Sequence, residues 1–243
     1  MVEAKDDGIM VVKRMNVVED RKIDIRTLIA GRNRYYFVKR CFDIAVSFLV
    51  IVLLLSWLLP LVALAICIES RGPVFFCQRR VGSFGRSFMC IKLRTMYVNA
   101  DADVLQARCH DVRITKLGRF LRISNLDELP QFINVLLGQM SIVGPRPHMH
   151  KDCATFAEVV QYYKLRTVMK PGITGLAQVK GFRGPTDSCD KVFKRYQWDA
   201  FYIRNADFWM DIRIVHETAM QTFKILTRHM RVSTEVPKKV EVA

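Results

Sequence analysis

From Ile44 to Ile68 the chain runs twenty-five residues without a formal charge. At about 1.5 Å per helical residue the stretch measures roughly 37 Å, enough for the roughly 30 Å hydrocarbon core of a bilayer. A single pass is the default for such a run, but two features oppose it. Ser56 and Pro60 sit near its midpoint, and a proline inside a helix deletes a backbone hydrogen bond and crowds the preceding turn. Lys39 and Arg40 precede the run while Arg71, Arg79, Arg80 and Arg86 follow it, whereas a spanning helix is depleted in Lys and Arg at one end. A bent hairpin that returns to one face accounts for both features. A tilted pass stays open on the residues alone.

The 243 residues, 51% of them hydrophobic, hold one catalytic-sized domain beside this membrane element. The expected division is an N-terminal extension over 1–34, a membrane helix over 35–70, a catalytic domain over 71–228 and a tail over 229–243. The extension mixes charges with short apolar runs such as Ile9 to Val12, and the apolar stretch begins too late and runs too long for a signal peptide. Seven scattered cysteines with no C-x-x-C pair argue against a disulfide framework or a zinc knuckle and fit a reducing cytoplasm.

A net charge of +15 and a pI near 9.8 call for a polyanionic partner: nucleic acid, anionic lipid or a phosphorylated substrate. The membrane run favours the last two. No nucleic acid is expected, because the aromatics do not interleave with the basic stripe as a stacking platform would. Between 71 and 100 the chain carries Arg71, Arg79, Arg80, Arg86, Lys92 and Arg94 and no acid, which suits lipid headgroups and phosphate alike.

Val74 to Gln78 and Phe88 to Leu93 read as a β-hairpin around Gly82-Ser83-Phe84-Gly85, its second strand delivering Lys92, Arg94 and Thr95. Lys116, Arg119 and Arg122 recur every third residue along an amphipathic helix with a basic edge. Leu129, Phe132, Ile133, Leu136 and Leu137 then repeat at helical spacing up to Gly138, and Pro130 places that helix's N-cap close to Asp127. Asp127 there either caps the helix or meets a phosphoryl group. Adjacent Asp127 and Glu128 diverge by about 100° if helical, so one can attack while the other binds a cation or a proton. Ser141 to Pro147 is a rigid turn presenting Arg146 between two prolines, a bidentate fork for phosphate, and Pro171 to Gly175 is a second glycine loop.

Six ordered segments together resemble the bacterial sugar transferases, small monotopic polyprenyl-phosphate sugar-1-phosphate transferases. They are Lys39-Arg40-x-x-Asp43, Gly72-Pro73-Val74-Phe75-Phe76, Lys92-Leu93-Arg94-Thr95-Met96, Leu126-Asp127-Glu128-Leu129-Pro130-Gln131, Gly144-Pro145-Arg146-Pro147 and Pro171-Gly172-Ile173-Thr174-Gly175-Leu176-Ala177-Gln178. The resemblance covers residues 35 to 225. It implies transfer of a sugar 1-phosphate from a UDP-sugar to polyprenyl phosphate with release of UMP, as a first membrane step of exopolysaccharide, capsule, O-antigen or glycoprotein glycan assembly. Asp127 is implied as a nucleophile that forms a covalent phospho-sugar intermediate, with Glu128 assisting, and both as ligands of Mg²⁺. Arg146, Arg122, Lys92, Arg94 and Gln178 are carried over as phosphate or substrate contacts.

The implied fold class is α+β, mainly helical: a re-entrant N-terminal membrane helix, then a small catalytic domain with a β-hairpin and interfacial amphipathic helices. The implied place is the bacterial inner membrane, catalytic domain on the cytoplasmic face, among membrane lipids and with room for an oligomer. The family breaks its membrane helix at a Ser-Pro pair, whereas here Ser56 is followed by Trp57 and the proline comes at Pro60. Larger relatives carry further N-terminal membrane helices, for which this sequence shows no counterpart. Trp198, Phe201, Tyr202, Phe208 and Trp209 suit a helix lying in the headgroup layer, with core packing accounting for some of them. A membrane-anchored adaptor without catalysis and a glycosyltransferase that moves the sugar without its phosphate are the competing readings.

Overall fold

The computed structural model describes residues 31–99, 111–184 and 188–234. Residues 1–30 of the expected extension, 235–243 of the expected tail and Cys109 lie outside the described residues. The apolar run belongs to one continuous helix of 37 residues, Asn33–Glu69, long and apolar enough to cross a membrane. It consists of α1 (Asn33–Val50), a π turn (Ile51–Leu55) and α2 (Ser56–Glu69). No chain break occurs at Ser56 or Pro60. Pro60 has no N–H to give back, Ser56 Oγ donates to the Val52 carbonyl at 2.6 Å and Trp57 Nε1 to the Leu53 carbonyl at 2.8 Å, so the irregularity is a widened turn just ahead of Ser56.

Both ends of this helix dock on the same domain. At the start, Lys39 Nζ pairs with Asp211 at 2.8 Å, Arg40 donates to the Val135 and Leu136 carbonyls, and Asp43 accepts the Ile142 N–H. At the finish, Glu69 accepts the Lys116 and Leu117 N–H groups, and Arg94 donates to the Ser70 and Arg71 carbonyls. Leu59, Val62 and Ile66 pack with Leu93, Leu121 and Leu126. The opposite face leaves Phe48, Leu53, Trp57, Leu61, Leu64 and Ile68 exposed, an apolar strip that nothing among the described residues covers.

β1 (Phe75–Val81) and β2 (Ser87–Leu93) form the expected antiparallel hairpin, in register from Phe75 opposite Leu93 to Val81 opposite Ser87. The first strand runs past Gln78 to Val81, where Val81 donates to the His148 carbonyl and Arg80 to that of Pro147, so the 147–148 segment covers the strand's end just ahead of the glycine turn. α3 (Lys116–Ser124) and α4 (Gln131–Leu136) follow, then β3 (Ser141–Val143), α5 (His150–Val159), β4 (Gly172–Thr174), α6 (Leu176–Val179), α7 (Cys189–Asn205) and α8 (Phe208–Thr234). β3 and β4 pair in parallel, joining the two glycine loops. A Cβ on Gly144 would lie 2.4 Å from the Lys170 carbonyl and one on Gly172 would lie 2.1 Å from the Gly144 nitrogen, so the close approach needs glycine on both sides. The main core joins Val135, Met140, Val143, Tyr202 and Ile214 to the hairpin through Phe88 and Cys90.

The late aromatics divide. Tyr202 is buried, its hydroxyl donating to Asp211 at 2.6 Å, whereas Phe201 and Trp209 are exposed. Trp198 is half-buried beneath the Lys180 ammonium.

Candidate active site

Asp127 and Glu128 do not cap the helix that follows them. α3 ends at Asn125, which takes a left-handed conformation (φ 59), and that reversal starts a separate 3-10 turn, Leu126–Glu128, ahead of Leu129 and Pro130. The N-cap of α4 falls on Pro130 and carries no side-chain hydrogen bond. The acidic pair is thus held in its own turn, buried, and leaves the capping reading of Asp127 without a bond.

Glu128 is saturated. Its Oε1 accepts from Lys92 Nζ at 2.7 Å and Arg146 Nη2 at 2.6 Å, and Oε2 accepts from Arg146 Nη1 at 3.2 Å. Burial alone would raise its pKa, but the Arg146 and Lys92 charges outweigh burial and hold the carboxyl well below the usual range. Asp127 accepts no hydrogen bond among the described residues. Burial, then the neighbouring Glu128 charge, push it up to about 6 against the pull of Lys92, Arg122 and Arg146. One carboxylate is therefore fixed as a permanent anion between two cations, while its neighbour keeps its oxygens unclaimed.

Lys92 and Arg146 are also part of the wall of a cavity of about 480 Å³, in the range of small-molecule sites. Its basic lining is Arg80, Lys92, Arg94, Arg122, Arg146, Arg183 and Arg195, with Phe75, Phe76 and Tyr97 among the apolar residues. Arg122 turns inward from the basic edge of α3, its Nε donating to Thr95 Oγ1 at 2.7 Å, while Lys116 and Arg119 stay exposed. Arg94 lines the same wall with its guanidinium committed to the end of α2. Gln178 is not brought to the cavity. It is buried in α6, which packs against α7, and its Nε2 donates to the Ile173 carbonyl.

Four cavity residues escaped the sequence reading as site groups: His148, Asp152, Arg183 and Arg195. They lie 20 to 67 positions beyond Glu128, and no local spacing ties them to it. His148 is buried, its Nδ1 2.6 Å from the Tyr163 hydroxyl and its Nε2 3.3 Å from Arg195 Nη1. An arginine only donates, so Nε2 is the acceptor and Nδ1 carries the proton. Burial and the surrounding Arg166, Arg195, Arg80 and Arg146 charges keep this imidazole neutral, its pKa well below the usual value. Arg195 also donates to the carbonyls of Phe182 and Gly184, clasping the chain on both sides of Arg183.

The sequence profile of the bacterial sugar transferases matches residues 34–225. The chain belongs to that family. Among its relatives, the UDP-glucose:undecaprenyl-phosphate glucose-1-phosphate transferase of Klebsiella pneumoniae is 47% identical over 186 residues, 76% of this chain and 40% of that protein. The exopolysaccharide production protein PSS of Rhizobium leguminosarum bv. phaseoli is 43% identical over 75% of this chain and 94% of its own length. An Aeromonas hydrophila UDP-N-acetylgalactosamine-undecaprenyl-phosphate N-acetylgalactosaminephosphotransferase is 39% identical over 76% of this chain and 43% of its own. This sugar transferase chain thus spans about two fifths of the Klebsiella and Aeromonas proteins.

Proposed function

We propose that the protein transfers a sugar 1-phosphate from a UDP-sugar to undecaprenyl phosphate and releases UMP. The observation that carries this reading is the unclaimed Asp127 carboxylate beside a Glu128 locked by Lys92 and Arg146, two cations that themselves line a basic cavity. A carboxylate oxygen of Asp127 attacks the sugar-bearing phosphorus. The bond to the bridging oxygen breaks and UMP departs with that oxygen, leaving an acyl phosphate to the sugar. A phosphate oxygen of undecaprenyl phosphate then attacks the same phosphorus, Asp127 leaves as carboxylate, and the polyprenyl diphosphate sugar is complete. Lys92, Arg122 and Arg146 offset the charge of the diphosphate and of the departing UMP.

Mg²⁺ fits this site in a restricted way. Among the described residues no three His, Cys, Asp or Glu side chains gather, and the Glu128 oxygens are taken by cations. Mg²⁺ is commonly held by one or two carboxylates plus substrate phosphates, a role that Asp127 can fill with one oxygen while Glu128 supplies charge behind it. When bound it withdraws charge from the diphosphate.

We read the membrane helix as re-entrant, with the domain on the cytoplasmic face of the inner membrane. Support comes from Arg40 and Asp43 at one end and Glu69 at the other docking on one domain, which a straight pass would separate by a bilayer. Single cysteines at Asn33→Cys and Ser70→Cys should label from the same side of a vesicle. Labelling from opposite sides would make the helix a span.

The activity is tested by nucleotide release from detergent-purified protein given Mg²⁺, undecaprenyl phosphate and a panel of UDP-sugars. UMP from at least one donor, lost in Asp127→Asn, is the expected result. UDP in its place would make the protein a glycosyltransferase, and no nucleotide from a folded, membrane-bound protein would favour an adaptor.

A further inference from the structure

A sugar nucleotide presents two kinds of polar surface. Its diphosphate is met by guanidinium and ammonium groups, which only donate, whereas its sugar and ribose hydroxyls also need acceptors. The Arg and Lys side chains that dominate the cavity cannot accept. Asp152 is the one acidic residue lining it among the described residues. It stands half-buried in the first turn of α5, and its carboxylate has no ion pair or hydrogen bond among the described residues, although Arg80 feels its charge. Lys92, which holds Glu128, lies opposite Phe76 in the hairpin, and Arg80 is four residues further on, roughly 13 Å along the strand. Arg80, and Asp152 whose charge it feels, thus line a part of the wall beyond Lys92, with room for the uncharged flank of a donor whose diphosphate Lys92 and Arg146 would hold.

We propose, on the sugar-nucleotide reading above, that Asp152 is the hydroxyl acceptor of the donor site, taking hydrogen bonds from an adjacent pair of hydroxyls on the sugar or the ribose. The sign of its effect separates this role from a bystander's. An acid that acted only through its field would repel a polyanionic donor, and neutralising it would tighten binding. An acid that accepts hydroxyls loses charge-assisted bonds when neutralised, and binding weakens.

The test is calorimetric binding of UMP, UDP-glucose, UDP-galactose and UDP-N-acetylgalactosamine to wild type and Asp152→Asn in detergent, each first shown to melt at the same temperature. The best-bound UDP-sugar should weaken roughly 10- to 100-fold in the variant. If UMP binding is unchanged, the hydroxyls are the sugar's. If UMP weakens in parallel, they are the ribose's. Unchanged or tighter binding of every UDP-sugar overturns the proposal, while Asp127→Asn, read by UMP release, reports separately on the transferase reading. Wild-type protein that binds no UDP-sugar overturns both.

Discussion

Two buried acidic clusters in this chain are built on opposite terms. Around Asp211 every acceptor is used: Oδ2 takes Lys39 Nζ at 2.8 Å and the Tyr35 hydroxyl at 3.0 Å, and Oδ1 takes the Tyr202 hydroxyl at 2.6 Å. Around the dyad, Glu128 is as fully engaged, but Asp127 beside it has no partner among the described residues. Isolating a buried carboxylate costs free energy, so a fold tolerates it only where surrounding contacts hold it in place. The closed cluster fastens the membrane helix to the domain through residues 172 positions apart, and the open one leaves a carboxylate for the nucleophile's role proposed above. Saturation marks the joint, and the leftover valence marks the site.

The sharpest way to break this contrast is to remove each centre in turn. On the proposed mechanism, Asp127→Asn should lower UMP release by about 10,000-fold or more, because a nucleophile has no substitute, with no fall in melting temperature. Lys39→Met should do the reverse. Leaving Asp211 charged and unpaired should cost about 3–5 kcal/mol of stability, read as a lower melting temperature in detergent. Lys39→Met with Asp211→Leu should recover most of that loss, since an apolar pair of similar volume is often neutral. Full activity in Asp127→Asn, or a Lys39→Met protein as stable as wild type, would collapse the distinction.

Much of this is legible in the chain, for reasons that particular residues make clear. The hairpin shows because apolar β-prone runs and a glycine turn are local signals, and α3 because its basic residues recur at a fixed interval. Asp127 and Glu128 stand out as a pair, but their turn does not. Asn125 takes the left-handed conformation that asparagine favours at a helix end, but the 3-10 turn it opens and the shift of the N-cap to Pro130 carry no local signal of their own. Lys39, Arg40 and Asp43 read as a charged flank, because their partners Asp211, Val135 and Ile142 are brought near only by the fold. The same holds for Gly144 and Gly172, two weak loop signals whose meaning is a single parallel pairing. Arg195 and His148 are out of reach for the same reason: an arginine mid-helix and a histidine after a proline gain their role only from each other.

A finer probe of the open cluster is how its stability depends on pH. Asp127 titrates near 6 in the folded protein, above the usual 3.8, so its ionised form is the disfavoured one. A raised pKa of this kind adds stability that is fully present below the unfolded value and lost as pH rises through the folded one. Asp127→Asn removes that penalty. In metal-free buffer the variant should exceed wild type by at most about 3 kcal/mol above pH 6, because lifting a carboxyl from 3.8 to about 6 disfavours its anion by about 1.4 kcal/mol for each pH unit. The advantage should shrink between pH 6 and 4 and vanish below. Wild-type UMP release should fall over the same window, about tenfold per pH unit below 6, because the attacking form is the ionised one. A constant stability difference across pH 4 to 8 would mean that Asp127 is not held against its charge, and the contrast with the closed Asp211 cluster would then rest on geometry alone.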